Sequence, residues 1–377
     1  MSRVALLHEL ETAVAGRARL RVEHKCTSLG LCSASTGAQV ESTHQENGGR
    51  LNREHLLRIT ADFSEESPTN YLAPPARDED DLERLAAGFY ANNFARNNYH
   101  GEQSDGTVLN VDKDERYVGM RFYEPPLLAI GSASDPAFQA LKQRQVVGPH
   151  HMLPSDWLPG AKSVISLFLP FTERVIESNT VDPVQPSWEW LFTRVDGQQH
   201  LLATAALVRD ALLAESLQAV VPQIDDRYFM RASPGQTEIP VPTFSSNWSE
   251  RHVAFITGIG TFGRSTNIIS KRGACGRLVS VITDWETEPD QKDYEGMYDY
   301  CSDCGACHDA CPGRAYSDDG KDIRLCSAFL QENCAKYAPR YGCGKCQSGL
   351  PCQTKSPRNP NAERRGREPR RPLGHFP

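Results

Sequence analysis

No stretch of the 377 residues comes near the ~18–20 consecutive apolar residues that a membrane-spanning helix needs. The longest apolar run, VISLFLPF, is itself interrupted by Pro170. Positive charge is not in excess either: 41 Lys and Arg stand against 48 Asp and Glu, a formal net charge of −7, which gives no general case for nucleic-acid binding. The first residues offer no apolar core with a small-residue cleavage site and no twin-arginine signal. A secretory signal is therefore not expected, and a cytoplasmic location is. STGAQVESTHQENGG has almost no apolar residues, so residues 1–50 read as a disordered leader. KSPRNPNAERRGREPRRPLGHFP is rich in Arg and Pro without a hydrophobic period and reads as a disordered basic tail over 355–377. Between these ends, a 39% hydrophobic composition is enough for one large domain and a small one.

Twelve cysteines are present, and all but Cys26, Cys32 and Cys275 fall between Cys301 and Cys352. Disulfide scaffolds are short and secreted, and this chain fits neither description. In CSDCGACHDACPGRAY, Cys301, Cys304, Cys307 and Cys311 follow the spacing C-x2-C-x2-C-x3-C-P, that of bacterial ferredoxin iron–sulfur ligation. In that pattern the first three thiolates hold one [4Fe–4S] cube. The fourth, carried off by the start of a helix, serves a second cube. Zinc is the alternative for CSDC and CGKC, although zinc sites rarely use this spacing with a closing proline. Two cubes need four more thiols, and five candidates follow: Cys326, Cys334, Cys343, Cys346 and Cys352. Cys326 and Cys334 lie more than two turns apart on the helix expected over LCSAFLQENCAKYAPRYG, too far to share one cube.

Helical periodicity marks NREHLLRITADFSEES and DEDDLERLAAGFYANNFA. AKSVISLFLPF reads as a buried strand entered through the turn LPG. WEWLFTRVDGQQHLLATAALVRDALLAES reads as one long helix, AVVPQID as a strand, RHVAFITGIG as a helix running into a glycine turn, and GRLVSVITDWE as a further strand. Such alternation predicts an α/β domain over 51–295, followed by a small ferredoxin-like two-cluster domain over 296–354.

Several stretches resemble a known family. The cysteine run, a lone cysteine before a short helix, and then YGCGKCQSGLPC look like epoxyqueuosine reductases, with reductive dehalogenases carrying a related double-cluster module. FSSNWSERHVAFITGIGTFG and KYAPRYGCGKCQSGLPC are similar to proteins labelled epoxyqueuosine reductase-like. The resemblance implies one [4Fe–4S] cluster on Cys301, Cys304, Cys307 and Cys352, and a second on Cys311, Cys326, Cys343 and Cys346, leaving Cys334 over. It implies a corrinoid-reductase-like α/β domain, a bound cobalamin, an electron donor such as ferredoxin or flavodoxin, and a small-molecule or modified-nucleoside substrate. The rival expectation is an electron-transfer protein that serves a partner redox or corrinoid enzyme and has no substrate of its own. Where the family places an aspartate in VD-(S/T)-(A/G)-P, this chain has PTFSSNWSER. Five residues separate Cys346 from Cys352, against three in the family.

Gly258, Gly260 and Gly263 are the candidate cofactor-binding residues, because glycine lets backbone approach a flat cofactor closely. Phe255, Phe262 and Trp248 can pack on such a ring. The same glycines spell G-x-G-x-x-G, with Asp284 about twenty residues on, so a dinucleotide site is weighed as well. It requires RSTNIISKR after Gly263 to be a helix. Candidate proton donors are Asp225, Asp226 and His252, with Tyr228, Glu250 and the pair His150 and His151 behind them.

Overall fold

Asn52 starts the first helix: its side-chain oxygen accepts the His55 backbone N–H at 2.8 Å and so satisfies one of the amides a helix start leaves open. The helix, α1, runs Arg53–Glu66 and buries Leu56, Thr60 and Ser64, a four-residue repeat that makes one face. The computed structural model describes residues 51–80, 115–233, 243–317, 320–338 and 340–357. The expected leader, almost all of the helix expected over DEDDLERLAAGFYANNFA, and nearly all of the basic tail lie outside the described residues. Among the described residues no helix is long and apolar enough to cross a membrane.

The core is a mixed α/β arrangement around four strands: β1 (Leu127–Ser132), β2 (Ser163–Pro170), then β3 (Ala219–Val220) and β6 (Gly276–Thr283), in the order β1-β2-β6-β3. Every pairing is antiparallel, with Leu127 opposite Phe168 and Ser163 opposite Thr283. All eight residues of β2 are buried. Its apolar run has no polar alternation because both faces are covered. Ile165, Leu167 and Leu169 join Leu201 and Val208 of one helix layer, whereas Val164 packs with Val253, Ile256 and Trp248 of another. The two-residue period of the strand thus sorts one sequence run into two cores.

The long helix expected from WEWLFTRV onward is two: α2 (Trp188–Val195) and α3 (Gln198–Ala214). The break is at Asp196 and Gly197. A Cβ on Gly197 would sit 2.4 Å from the Thr193 carbonyl oxygen, and the Asp196 carboxylate is held by Arg340 at 2.7 and 3.0 Å. The strand expected over AVVPQID shortens to β3, ended by Val221 and Pro222, whose missing N–H cannot extend a ladder. Beyond it lies α4 (Glu250–Thr257), the helix expected before the glycines.

RSTNIISKR is not a helix. It supplies the turn and the second strand of a tight hairpin in which β4 (Gly260–Phe262) pairs with β5 (Ile268–Ser270). The Thr266 N–H donates to Gly263 O at 2.8 Å, Thr266 takes φ +63°, and the β-branched pair Ile268 and Ile269 is fully buried in the strand. The cysteine segment is tied to the α/β part within one compact unit. The Ala274 N–H donates to Cys352 O at 2.8 Å and the Cys275 N–H to Gln353 O at 3.1 Å, just before β6 begins.

Candidate metal centre

Two left-handed residues shape the first cysteine loop. Asp303 at φ +54° and Gly305 at φ +79° curl the chain between Cys301 and Cys307. Cys301, Cys304, Cys307 and Cys352 line one cavity, together with Gly263, Arg264 and Ser265 behind the hairpin turn. The short helix Ala306–Asp309 carries Cys307, and Cys311 follows it, just before Pro312. This helix lies ahead of Cys311 and delivers it to the other side.

Cys311, Cys326, Cys343 and Cys346 line a second and larger cavity, about 1070 Å³ against about 350 Å³ for the first, both open to solvent. Cys326 belongs to the first turn of α5 (Ile323–Tyr337), which Asp322 caps by accepting the Arg324 N–H at 2.8 Å. Cys334 is eight residues on, about 12 Å along the axis, and lines neither cavity. The CGKC turn is fixed from below. Lys345 is buried and its Nζ donates to Asn179 O at 2.5 Å and Asp182 O at 2.7 Å. Asn179 in turn donates to Cys343 O at 3.0 Å. Gly344 is at φ +73°, and a Cβ there would strike the Trp190 ring at 2.1 Å.

Among the described residues no three His, Cys, Asp or Glu side chains converge on a single-ion position. A cube asks something different of its four thiols: each meets its own iron, so together they surround a void. Burial first, and then neighbouring thiols, push Cys307 and Cys343 up to about 12 and Cys352 up to about 11. These thiols hold their protons until a metal displaces them. Cys275 is fully buried, lines neither cavity, and donates its S–H to Gln347 O at 3.1 Å.

The glycines have a structural use. Gly258 ends α4 at φ +109°, a left-handed conformation that suits glycine. A Cβ on Gly260 would sit 2.1 Å from the Ile269 carbonyl oxygen, and one on Gly263 would sit 3.0 Å from Ile269 Cδ1. The closeness that glycine permits at Gly260 and Gly263 is taken up by β5. The dinucleotide reading is corrected outright: a helix precedes these glycines and a strand follows, the reverse of strand–turn–helix.

The acid–base candidates separate by environment. Asp225 is gripped by Arg227 at 2.8 Å through both oxygens, which holds its carboxyl below the usual range. Asp226 follows in the same turn. His252 Nδ1 is 2.8 Å from Ser249 Oγ, its ring lies against Phe262, and burial lowers it to about 3, so it is neutral. His151 is buried, stacks on Trp248 and is likewise lowered to about 3, while His150 Nε2 meets Ser245 Oγ at 3.0 Å. Burial raises the Tyr228 phenol. Glu250 differs from all of these: burial pushes its carboxyl up to about 7, and Gln223 Nε2 donates to Oε1 at 3.0 Å. Its place in the first turn of an amphipathic helix was the only sequence sign of it.

Together the fold and these cavities define a mixed α/β protein with two separate groups of four thiols. No family model matches the sequence. The chain is 28% identical over 248 residues to the epoxyqueuosine reductase of Bacillus cereus, covering 59% of this chain and 60% of that one. It is 31% identical over 109 residues to the tetrachloroethene reductive dehalogenase of Desulfitobacterium hafniense, 26% of this chain and 20% of that one. A solved epoxyqueuosine reductase structure aligns at 20% identity and a TM-score of 0.39, covering 63% of this chain and 66% of that one. The chain is thus related to epoxyqueuosine reductases and, over a shorter stretch, to a reductive dehalogenase. It spans about three fifths of the length of the first of these relatives.

Proposed function

We propose that this chain is an iron–sulfur oxidoreductase of the epoxyqueuosine reductase-like kind, with two [4Fe–4S] clusters. Cys301, Cys304, Cys307 and Cys352 would hold one, and Cys311, Cys326, Cys343 and Cys346 the other. The observation behind this reading is that the two ligand sets implied by resemblance are the two sets that line separate cavities, with Cys334 in neither. When bound, such clusters supply one-electron storage. The chain's own part is to hold the thiols in place and, for reduction of a small molecule or modified nucleoside, to keep a proton. Glu250, with its carboxyl near 7, can hold one at neutral pH. A corrinoid is the electron acceptor implied by resemblance.

Anaerobic reconstitution of the whole chain with iron and sulfide tests the reading. Iron and sulfide should each approach about eight per chain, the load of two cubes. Iron near four, or zinc in its place, would overturn the two-cluster assignment. Absorbance of added hydroxocobalamin then separates the two functional readings. A stoichiometric spectral shift favours a corrinoid enzyme, and an unshifted spectrum favours an electron-transfer protein that serves a partner.

A further inference from the structure

The two cavities differ in charge. Arg194, Arg251, Arg277, Lys321 and Lys345 line the second, with no aspartate or glutamate among its described lining residues. One basic side chain, Arg264, lines the first, and its guanidinium lies 3.2 Å from the Asp303 carboxylate. The five cations come from α2, α4, β6 and two parts of the cysteine segment. Uncharged groups hold several of them in place. Arg277 donates to Arg194 O at 3.1 Å and to Gln198 Oε1 at 2.6 Å, Arg251 to Thr266 O at 2.8 Å, and Lys345 to two backbone carbonyls. Such bonds fix position without cancelling charge.

Resting on the two-cluster reading, we infer that this cationic wall makes the second cavity the higher-potential of two redox sites, the place where an added electron rests. Reduction takes [4Fe–4S]2+ and one electron to [4Fe–4S]+. No bond forms or breaks, and one negative charge is gained. A low-potential one-electron donor protein supplies the electron in the cell, and dithionite in the experiment. Fixed positive charge at short range stabilises the more negative, reduced form more than the oxidised one. Cys304 is exposed, which puts a thiol of the first cavity at the surface where a donor can approach. Entry at the first site and storage at the second follow from the placement of charge.

The test is an EPR-monitored redox titration of the full chain reconstituted with iron and sulfide. Two reduction steps are expected, the higher one absent in Cys343→Ala and present in Cys304→Ala. Arg251→Gln and Arg277→Gln should each lower the higher step and leave the lower one in place. The reduced-to-oxidised ratio at the original midpoint should fall about tenfold, which is about 59 mV for a one-electron couple. Arg251 is exposed, so its variant keeps the test available if Arg277→Gln does not fold. Arg264→Gln, whose charge faces Asp303, should move neither step comparably. The inference is overturned if the higher step belongs to the Cys304 side, if both steps shift equally, or if neither moves. In those cases iron near eight per chain leaves the cluster reading standing. Iron near zero in the unaltered chain would sink that reading and the inference with it.

Discussion

Glu250 concentrates the residue-scale chemistry, because a buried carboxyl near 7 sits one position from Arg251 on the cavity wall. A carboxyl whose pKa is raised on folding binds its proton more tightly in the folded chain. Folding is therefore favoured where the proton is on, and stability is lost as pH climbs from the ordinary 4.5 through about 7. The shift corresponds to about 3 kcal/mol between pH 4 and pH 8. Glu250→Gln should remove that slope. Urea unfolding of both proteins at several pH values across that window checks it, and parallel pH profiles would rule the assignment out. The thiols make a sharper contrast. Cys304→Ala and Cys343→Ala should each remove or convert one cluster, since a methyl group cannot replace a thiolate ligand. Cys334→Ala should leave iron content nearly unchanged. Equal iron loss from Cys334→Ala and Cys326→Ala would show that the wrong residue of α5 had been assigned.

At the scale of elements, the β4–β5 hairpin sets the clearest test. A Cβ on Gly260 meets the Ile269 backbone at 2.1 Å, whereas one on Gly263 meets only the end of the Ile269 side chain at 3.0 Å. Backbone cannot move aside as a side-chain tip can. Gly260→Ala should cost on the order of 2–4 kcal/mol, and Gly263→Ala clearly less, in thermal unfolding of the metal-free chain. Equal costs would mean that the hairpin does not press on Gly260. This is also where legibility in the sequence ended. The helix over NREHLLRITADFSEES, the buried run of β2 and the helix before Gly258 were readable, because hydrophobic period is a local signal. The break at Asp196 and Gly197 was not, since its causes are the Thr193 carbonyl, the packing of Phe122 and Tyr123, and an arginine far along the chain. The turn at Thr266 was missed for a different reason: its positive φ falls on a residue that rarely adopts one.

Across the whole molecule, the grouping of thiols and the charge around them have different origins. Ligand spacing in one short run picks out Cys301, Cys304, Cys307 and Cys311, whereas the other four thiols were assigned only through the family resemblance. The five cations of the second cavity are scattered from Arg194 to Lys345 and meet only once the chain has folded, so no sequence window contains them. Their convergence depends on how firmly the cysteine segment is held to α2 and α3. Arg340 is the main tie visible there: fully buried, it donates to Asp196 at 2.7 and 3.0 Å and lies over the Phe192 ring at 4.5 Å. Removing one partner of a buried ion pair leaves the other charge in a poorly solvated place, which costs about 3–5 kcal/mol. Asp196→Ala should therefore lower the unfolding midpoint strongly. Because Arg340 stands three residues before Cys343, the variant should also lose iron from the second cluster before the first during mild chelation. Replacing both partners, Asp196→Leu with Arg340→Met, should recover part of the stability, since no unpaired charge then remains. EPR of the variants during timed chelator exposure reads the order of loss. If both clusters bleach together, or the first goes earlier, the tie at Arg340 does not govern the second cavity.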